Sequence, residues 1–470
     1  MKNLTAFLCL IILIFSHCKN GETKNKESQT KEKFKTEKWT GGTVIPKLQT
    51  LADASQSYAI YLPTTYNNIK TLPVLFLFDS HAKGKTVVEK YKDLCEKFKY
   101  IVAVSNNSQN GLSQDVYPSI IDDFFKDVRS RFKIDSMRIY AGGFSGGARV
   151  ASMAAFANYS VSALIGSGAG FSGMPQNFPP NLMYIGLVGN KDFNFLEFLN
   201  INAYLDKINV PHQLIIFDGK HEWPTPEKLL EVFYALEFSA MRSKIIPSNH
   251  AMINEYLEIE NKAIEKFSQQ KLLTDKLDLL KRVVTNLDGL TDLFKYNQQI
   301  ASLEKSKEIL KENEEFMQSM GIEQNMMQNY QTAFGSQNLQ WWQGEIKNLQ
   351  QTIKQSTNRS KKLSNQRMLN YLSMLAYMYT SGAIKNNQQA DIEKYLTIYK
   401  LVDPENADLD YFTACNFVKL NQLDKAMESI ESAFKHGFTD IDTFENDPIF
   451  EPLKSNGHFK ELIEKKRQEK

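Results

Sequence analysis

Ser145 lies in the pentapeptide Gly143-Phe144-Ser145-Gly146-Gly147, within the longer run MRIYAGGFSGGARVASMAAF. A bare G-x-S-x-G recurs by chance in long chains, so its setting has to carry the weight. Here an apolar run feeds directly into the motif, and a small-residue, helix-forming run leaves it. A sharp strand-to-helix turn lifts a hydroxyl clear of a sheet edge, and flanking glycines relieve the crowding. The helix that follows points its N-terminus at the same spot, where negative charge develops during acyl transfer. A serine nucleophile also needs a base to take its proton and an acid to orient that base. The chain has only seven histidines, and no Asp or Glu occurs between Ser145 and Lys191.

Positioning such groups requires a rigid scaffold, and the region around Ser145 supplies one. Tyr58–Leu62, Val74–Phe78, Ile101–Val104, Met137–Tyr140, Ala163–Ile165, Met183–Val188 and Gln213–Phe217 are short β-branched or aromatic runs. Most of the later ones are near-continuously apolar, as strands buried on both faces should be. Between them Val87–Phe98, Tyr117–Phe132, Gly146–Ala157, Phe195–Ile208 and Pro226–Ala240 read as helices. Alternation of strand and helix predicts a mostly parallel sheet with helices on both faces, an α/β class.

The elbow around Ser145 resembles that of the α/β-hydrolases, closest to the polyhydroxybutyrate depolymerase, feruloyl esterase and esterase D group. The resemblance covers about Trp39–Ser243 and implies an acid and then a histidine, in that order, on later loops. Asp192 is the first acid after Ser145, and it follows the run Met183–Val188 at a strand's C-terminal end, where such sheets place their ligands. Glu197 and Asp206 fall inside the next helix, and Asp218 is close in sequence to the candidate base. Among the histidines, His17 lies in the N-terminal signal-like segment, while His250, His436 and His458 lie in the later half. His212 precedes its strand and His81 precedes the elbow, which leaves His221, in FDGKHEWPTPE. The resulting assignment is Ser145 as nucleophile, His221 as general base and Asp192 as its orienting acid. The resemblance also implies two backbone donors for the oxyanion: Gly146, and a residue of the loop Asp79-Ser80-His81-Ala82-Lys83-Gly84, with His81 favoured by position. Where relatives carry a His-Gly pair, this chain has Asp79 and Ser80. The segment from Ser105 to Gly111 and the segment from Gly166 to Gly170 also end strands and are read as turns or cleft walls. No metal or other cofactor is implied.

Over 470 residues, 56 Lys and Arg balance 54 Asp and Glu, which gives no electrostatic reason to expect a nucleic-acid partner. The stretch Leu4–Phe15, after Lys2, has the length of a signal peptide's apolar region and ends at Cys18, resembling the lipobox of bacterial lipoproteins. His17 departs from the small residue usual before that cysteine. The implied product is a protein acylated at Cys18 and anchored in the cell envelope, or a secreted one if Cys18 is unmodified. Cys95 and Cys415, one in each half, form no disulfide framework and read as buried small hydrophobes. The expected division is a signal over 1–17, a disordered tether over 18–38, the hydrolase over 39–245, a helical region over 246–365 and helical repeats over 366–470. The last of these rests on Pro404 and on Ala414, Ala426 and Ala433 within Leu409–Phe434, spacings that resemble a tetratricopeptide repeat. Such repeats stack into surfaces that bind proteins. Trp341 and Trp342 are apolar enough to wall the cleft.

The expected activity is hydrolysis of a small or polysaccharide-linked carboxylic ester, with residues 37–245 sufficient for a small ester. Two other readings stay open: a repeat-containing scaffold that carries a hydrolase-fold module, and a peptidase on the same fold.

Overall fold

The computed structural model describes residues 39–469 apart from 158, 174, 176 and 177. The proposed signal, Cys18 and the tether lie outside the described residues. Eight strands form one sheet: β1 Val44–Gln49, β2 Ser57–Tyr61, β3 Leu72–Asp79, β4 Ile101–Ser105, β5 Ile134–Phe144, β6 Ala163–Ser167, β7 Met183–Gly189 and β8 His212–Phe217. Their order is β1-β2-β4-β3-β5-β6-β7-β8. The β1–β2 and β2–β4 pairs are antiparallel, and every pair from β4–β3 onward is parallel. The sheet is mostly parallel with helices on both faces, an α/β fold, and β5, which leads into Ser145, lies near its centre.

Period-two alternation sorts each central strand between two cores. In β4, Val102 and Val104 join one hydrophobic cluster, while Ile101 and Ala103 join the other. β3 does the same, with Leu75 and Leu77 on one side and Val74, Phe76 and Phe78 on the other. Helices α1 Gly84–Phe98 and α5 Pro226–Arg242 cover the first face. Helices α2 Tyr117–Arg131, α3 Gly146–Phe156 and α4 Phe195–Lys207 cover the second. Two features of the sheet differ from expectation. β1 has no counterpart in the sequence reading, because Pro46 and a largely exposed pattern argue against a strand, and only an edge position tolerates both. β5 begins at Ile134 rather than Met137, its polar start, Asp135 and Ser136, lying beyond the buried run.

After Pro247 the described chain is helical: α6 His250–Gln269, α7 Leu273–Leu287, α8 Phe294–Glu304, α9 Lys307–Ser336, α10 Leu339–Gln355, α11 Arg359–Lys385, α12 Gln389–Val402, α13 Ala407–Lys419, α14 Leu423–Lys435, α15 Ile441–Asn446 and, after a 3-10 turn, α16 Gly457–Gln468. The hydrophobic core does not stop at residue 245. Ile253, Tyr256, Leu280, Val283 and Tyr296 share one cluster with Tyr234 and Phe238 of α5, and Tyr256 packs 5.1 Å from the Phe238 ring. A separate cluster runs from Tyr330 to Ile463 and contains Ala414, Ala426 and Ala433, all fully buried. Trp342 is buried in this second core against Tyr330 and Phe334, so it does not wall a cleft. Trp39–Lys470 form one compact unit. Among the described residues, no helix is long and apolar enough to cross a membrane.

Candidate active site

β5 delivers Ser145 into a backbone conformation that side chains rarely adopt, φ 54° and ψ −124°. Such a residue persists only where its surroundings over-determine it. The Ser145 N–H donates to Ser167 O at 2.9 Å, tying the turn to the end of β6. α3 then passes so close to β3 that a Cβ at position 147 would fall 2.0 Å from Phe78 O, so only glycine fits there.

The turn after β7 and the segment after β8 are laced together. Asn190 N–H donates to Phe217 O at 2.7 Å, and Lys191 N–H to Gly219 O at 3.0 Å. This pairing sets Asp192 beside His221. His221 Nδ1 lies 3.0 Å from both Asp192 carboxylate oxygens, and His221 Nε2 lies 2.9 Å from Ser145 Oγ. An ionised carboxylate only accepts, so Nδ1 carries the proton and Nε2 is left to accept from the serine hydroxyl. Asp192 is 1% exposed, and Asn194 N–H donates to its Oδ1 at 2.8 Å. The structure thus brings Ser145, His221 and Asp192 into one hydrogen-bonded line. Asp218 instead pairs with Lys191 Nζ at 2.7 Å, and that bond holds its carboxyl below the ordinary value. Glu197 pairs with Arg149 at 2.6 Å, away from the imidazole.

Gly146 opens α3, where first-turn amides have no intrahelical acceptor. His81 is differently placed. Its N–H donates to Asp79 Oδ1 at 2.9 Å, and Lys83 N–H donates to the same oxygen at 3.0 Å. The buried Asp79 carboxylate also accepts from Trp223 Nε1 at 2.7 Å. Asp79 therefore folds its own loop back on itself and ties it to the segment that carries His221.

Several residues at this site escaped the sequence reading. The His221 ring packs against Phe193, 4.3 Å away centroid to centroid, and against Phe144 at 4.8 Å. Asn194 bonds Asp192 through its backbone and Gly168 O through its side chain, at 2.8 Å. An aromatic or amide within two residues of each candidate, in KDFNF and KHEW, is the signal that could have pointed to them. The helical region reaches the same loops: Arg367 Nη1 donates to Asn190 O at 2.9 Å and Asn370 Nδ2 to Lys191 O at 2.6 Å. In the loop after β3, Lys83 Nζ donates to Thr439 Oγ1 at 3.0 Å. Nothing in the sequence flags contacts over such distances.

No protein-family model matches this chain, and no curated protein matches it. Solved structures do. An S-formylglutathione hydrolase from Staphylococcus aureus matches at 15% identity and a TM-score of 0.34, over 41% of this chain and 97% of that one. The feruloyl esterase module of Clostridium thermocellum matches at 14% identity and 0.34, over 40% of this chain and 86% of that one. A putative dipeptidyl aminopeptidase IV from Bacteroides ovatus matches at 12% identity and 0.33, over 42% of this chain and 35% of that one.

Proposed function

We propose that this protein is a serine hydrolase that cleaves carboxylic esters at the bacterial cell envelope. The observation that carries this reading is the line from Ser145 Oγ through His221 to the buried Asp192 carboxylate, each link at 2.9 to 3.0 Å. Ser145 Oγ attacks the ester carbonyl carbon as its proton passes to His221 Nε2, and the carbonyl π pair moves onto oxygen. Asp192 stabilises the imidazolium so formed, and Gly146 N–H donates to the oxyanion. Collapse of the intermediate expels the alcohol, which takes the proton from His221. Water repeats the cycle on the acyl-serine and releases the acid. The envelope location rests on Cys18 and the segment before it, and the repeat-like helices provide a surface for a protein partner.

The test is a panel of chromogenic acyl esters of graded length beside aminoacyl amides, run with the parent and Ser145→Ala. Ester turnover and fluorophosphonate labelling are expected in the parent only. Amide cleavage without ester cleavage would make the protein a peptidase, and labelling that survives Ser145→Ala would end the assignment.

A further inference from the structure

Two donors are needed at an oxyanion, and the loop after β3 has committed the obvious ones. The amides of His81 and Lys83 donate to Asp79 Oδ1, and that of Ala82 donates to Asp79 O at 3.1 Å. Gly146, meanwhile, is a glycine that its backbone does not require, since its φ is not positive. What requires it is a neighbour. A Cβ at 146 would fall 1.7 Å from Asn110 Oδ1, 2.8 Å from Asn110 Cγ and 3.3 Å from Asn110 Nδ2. Those are the three nearest atoms, so the Asn110 carboxamide occupies the space that a side chain at position 146, the residue after Ser145, would take.

The loop that carries Asn110 is fastened to the site. Asn110 N–H donates to Ser80 O at 2.8 Å. Ser108 Oγ donates to Asp79 O at 3.2 Å, and Tyr117 Oη to Gln109 O at 3.0 Å. Asn110 is itself exposed, so the carboxamide that excludes a side chain at 146 is not sealed in the core.

We infer that Asn110 is a catalytic residue, its carboxamide N–H supplying the second hydrogen bond to the oxyanion beside Gly146 N–H. The inference rests on the Ser145 reading above. The amide's terminal torsion is two-fold and soft, so either end of the group can face the reacting oxygen. In the step concerned, the Ser145 Oγ–carbon bond forms as the carbonyl π pair moves onto oxygen and the serine proton moves to His221. Asn110 donates to that oxygen without giving up its proton, and the bond is lost again when the leaving group departs.

The experiment measures kcat and KM for a small activated ester, and inhibition by an alkylboronic acid, in full-length Asn110→Ala, Gly146→Ala and the double variant. Loss of one oxyanion donor costs about 10²- to 10³-fold in kcat. Asn110→Ala should show that loss with KM little changed, weaker boronate binding in parallel, and an unaltered melting temperature. Gly146→Ala keeps its own N–H but displaces the carboxamide, so it should reproduce the defect. Because both changes remove one interaction, the double variant should be no worse than the poorer single. Turnover by Asn110→Ala within a few-fold of the parent, or losses that multiply in the double variant, would overturn the inference while leaving Ser145 as nucleophile. Hydrolysis persisting in Ser145→Ala would instead remove the reading beneath it.

Discussion

At the scale of the residue, the site depends on groups that have no freedom to be anything else. Asp192, 1% exposed, accepts hydrogen bonds from His221 Nδ1 and from Asn194 N–H, which give the buried carboxylate partners on the protein itself. Asp192→Asn keeps the shape but offers Nδ1 a donor or the wrong tautomer. It should lower kcat by about 10⁴, measured on the ester that the parent turns over fastest. Near-normal turnover would move the acid's role elsewhere. Away from the site, Glu260 is buried on α6, and burial, with the nearby Glu231 carboxylate, pushes its carboxyl from an ordinary 4.5 up to about 7. The unfolded chain releases this proton near 4.5 while the folded chain keeps it until about 7. Its contribution to stability is therefore full below the lower value and is lost as pH rises through the window between them. Glu260→Gln should flatten the dependence of denaturation midpoint on pH across that window, and an unchanged slope would show that Glu260 does not titrate there.

At the scale of the element, what was legible in the sequence was what repeats locally. The buried strands announced themselves by unbroken apolar runs, and the elbow by the strand and helix on either side of it. That Ser145, Asp192 and His221 lie together was legible because acids are absent between 145 and 191 and histidines are few. β1 was hidden because Pro46 and exposed side chains erase the alternation of an edge strand. The role of Asp79 was hidden because it follows from hydrogen bonds to amides two and four residues on, which the residue type does not specify. Least legible was α11. Its Arg367 is buried, bonds Glu323 at 2.6 to 2.7 Å, stands 4.4 Å over the Phe195 ring and donates to Asn190 O. Arg367→Met leaves Glu323 buried and unpaired, at a cost of about 3–5 kcal/mol. Adding Glu323→Leu should recover most of that stability. Activity should stay about 10- to 100-fold low in both variants, because Asn190 has lost its donor and the Asp192 turn shifts. Melting curves and kcat on the two variants check this, and full activity in the double variant would show that the turn needs no support.

At the scale of the whole molecule, sheet and helices share walls. A fragment ending at 245 would uncover Tyr234 and Phe238, whose rings pack on Tyr256. Exposed patches of that kind drive association. Residues 39–304, which retain α6 to α8, should therefore stay monomeric where residues 37–245 aggregate, as size-exclusion chromatography would show. Equal behaviour of the two fragments would mean that the shared core matters little. The donors to Asn190 and Lys191 come from residues 177 and 179 positions further along the chain. Chains are made from the N-terminus and fold in that order. A nascent chain thus holds Ser145, Asp192 and His221 long before it holds the two side chains that bond the Asp192 turn. The proposed activity would then mature late in the life of each molecule, once α11 has followed. Chains arrested before residue 359 should react with a fluorophosphonate more slowly than chains arrested after 385, and equal rates would show that the delay does not exist.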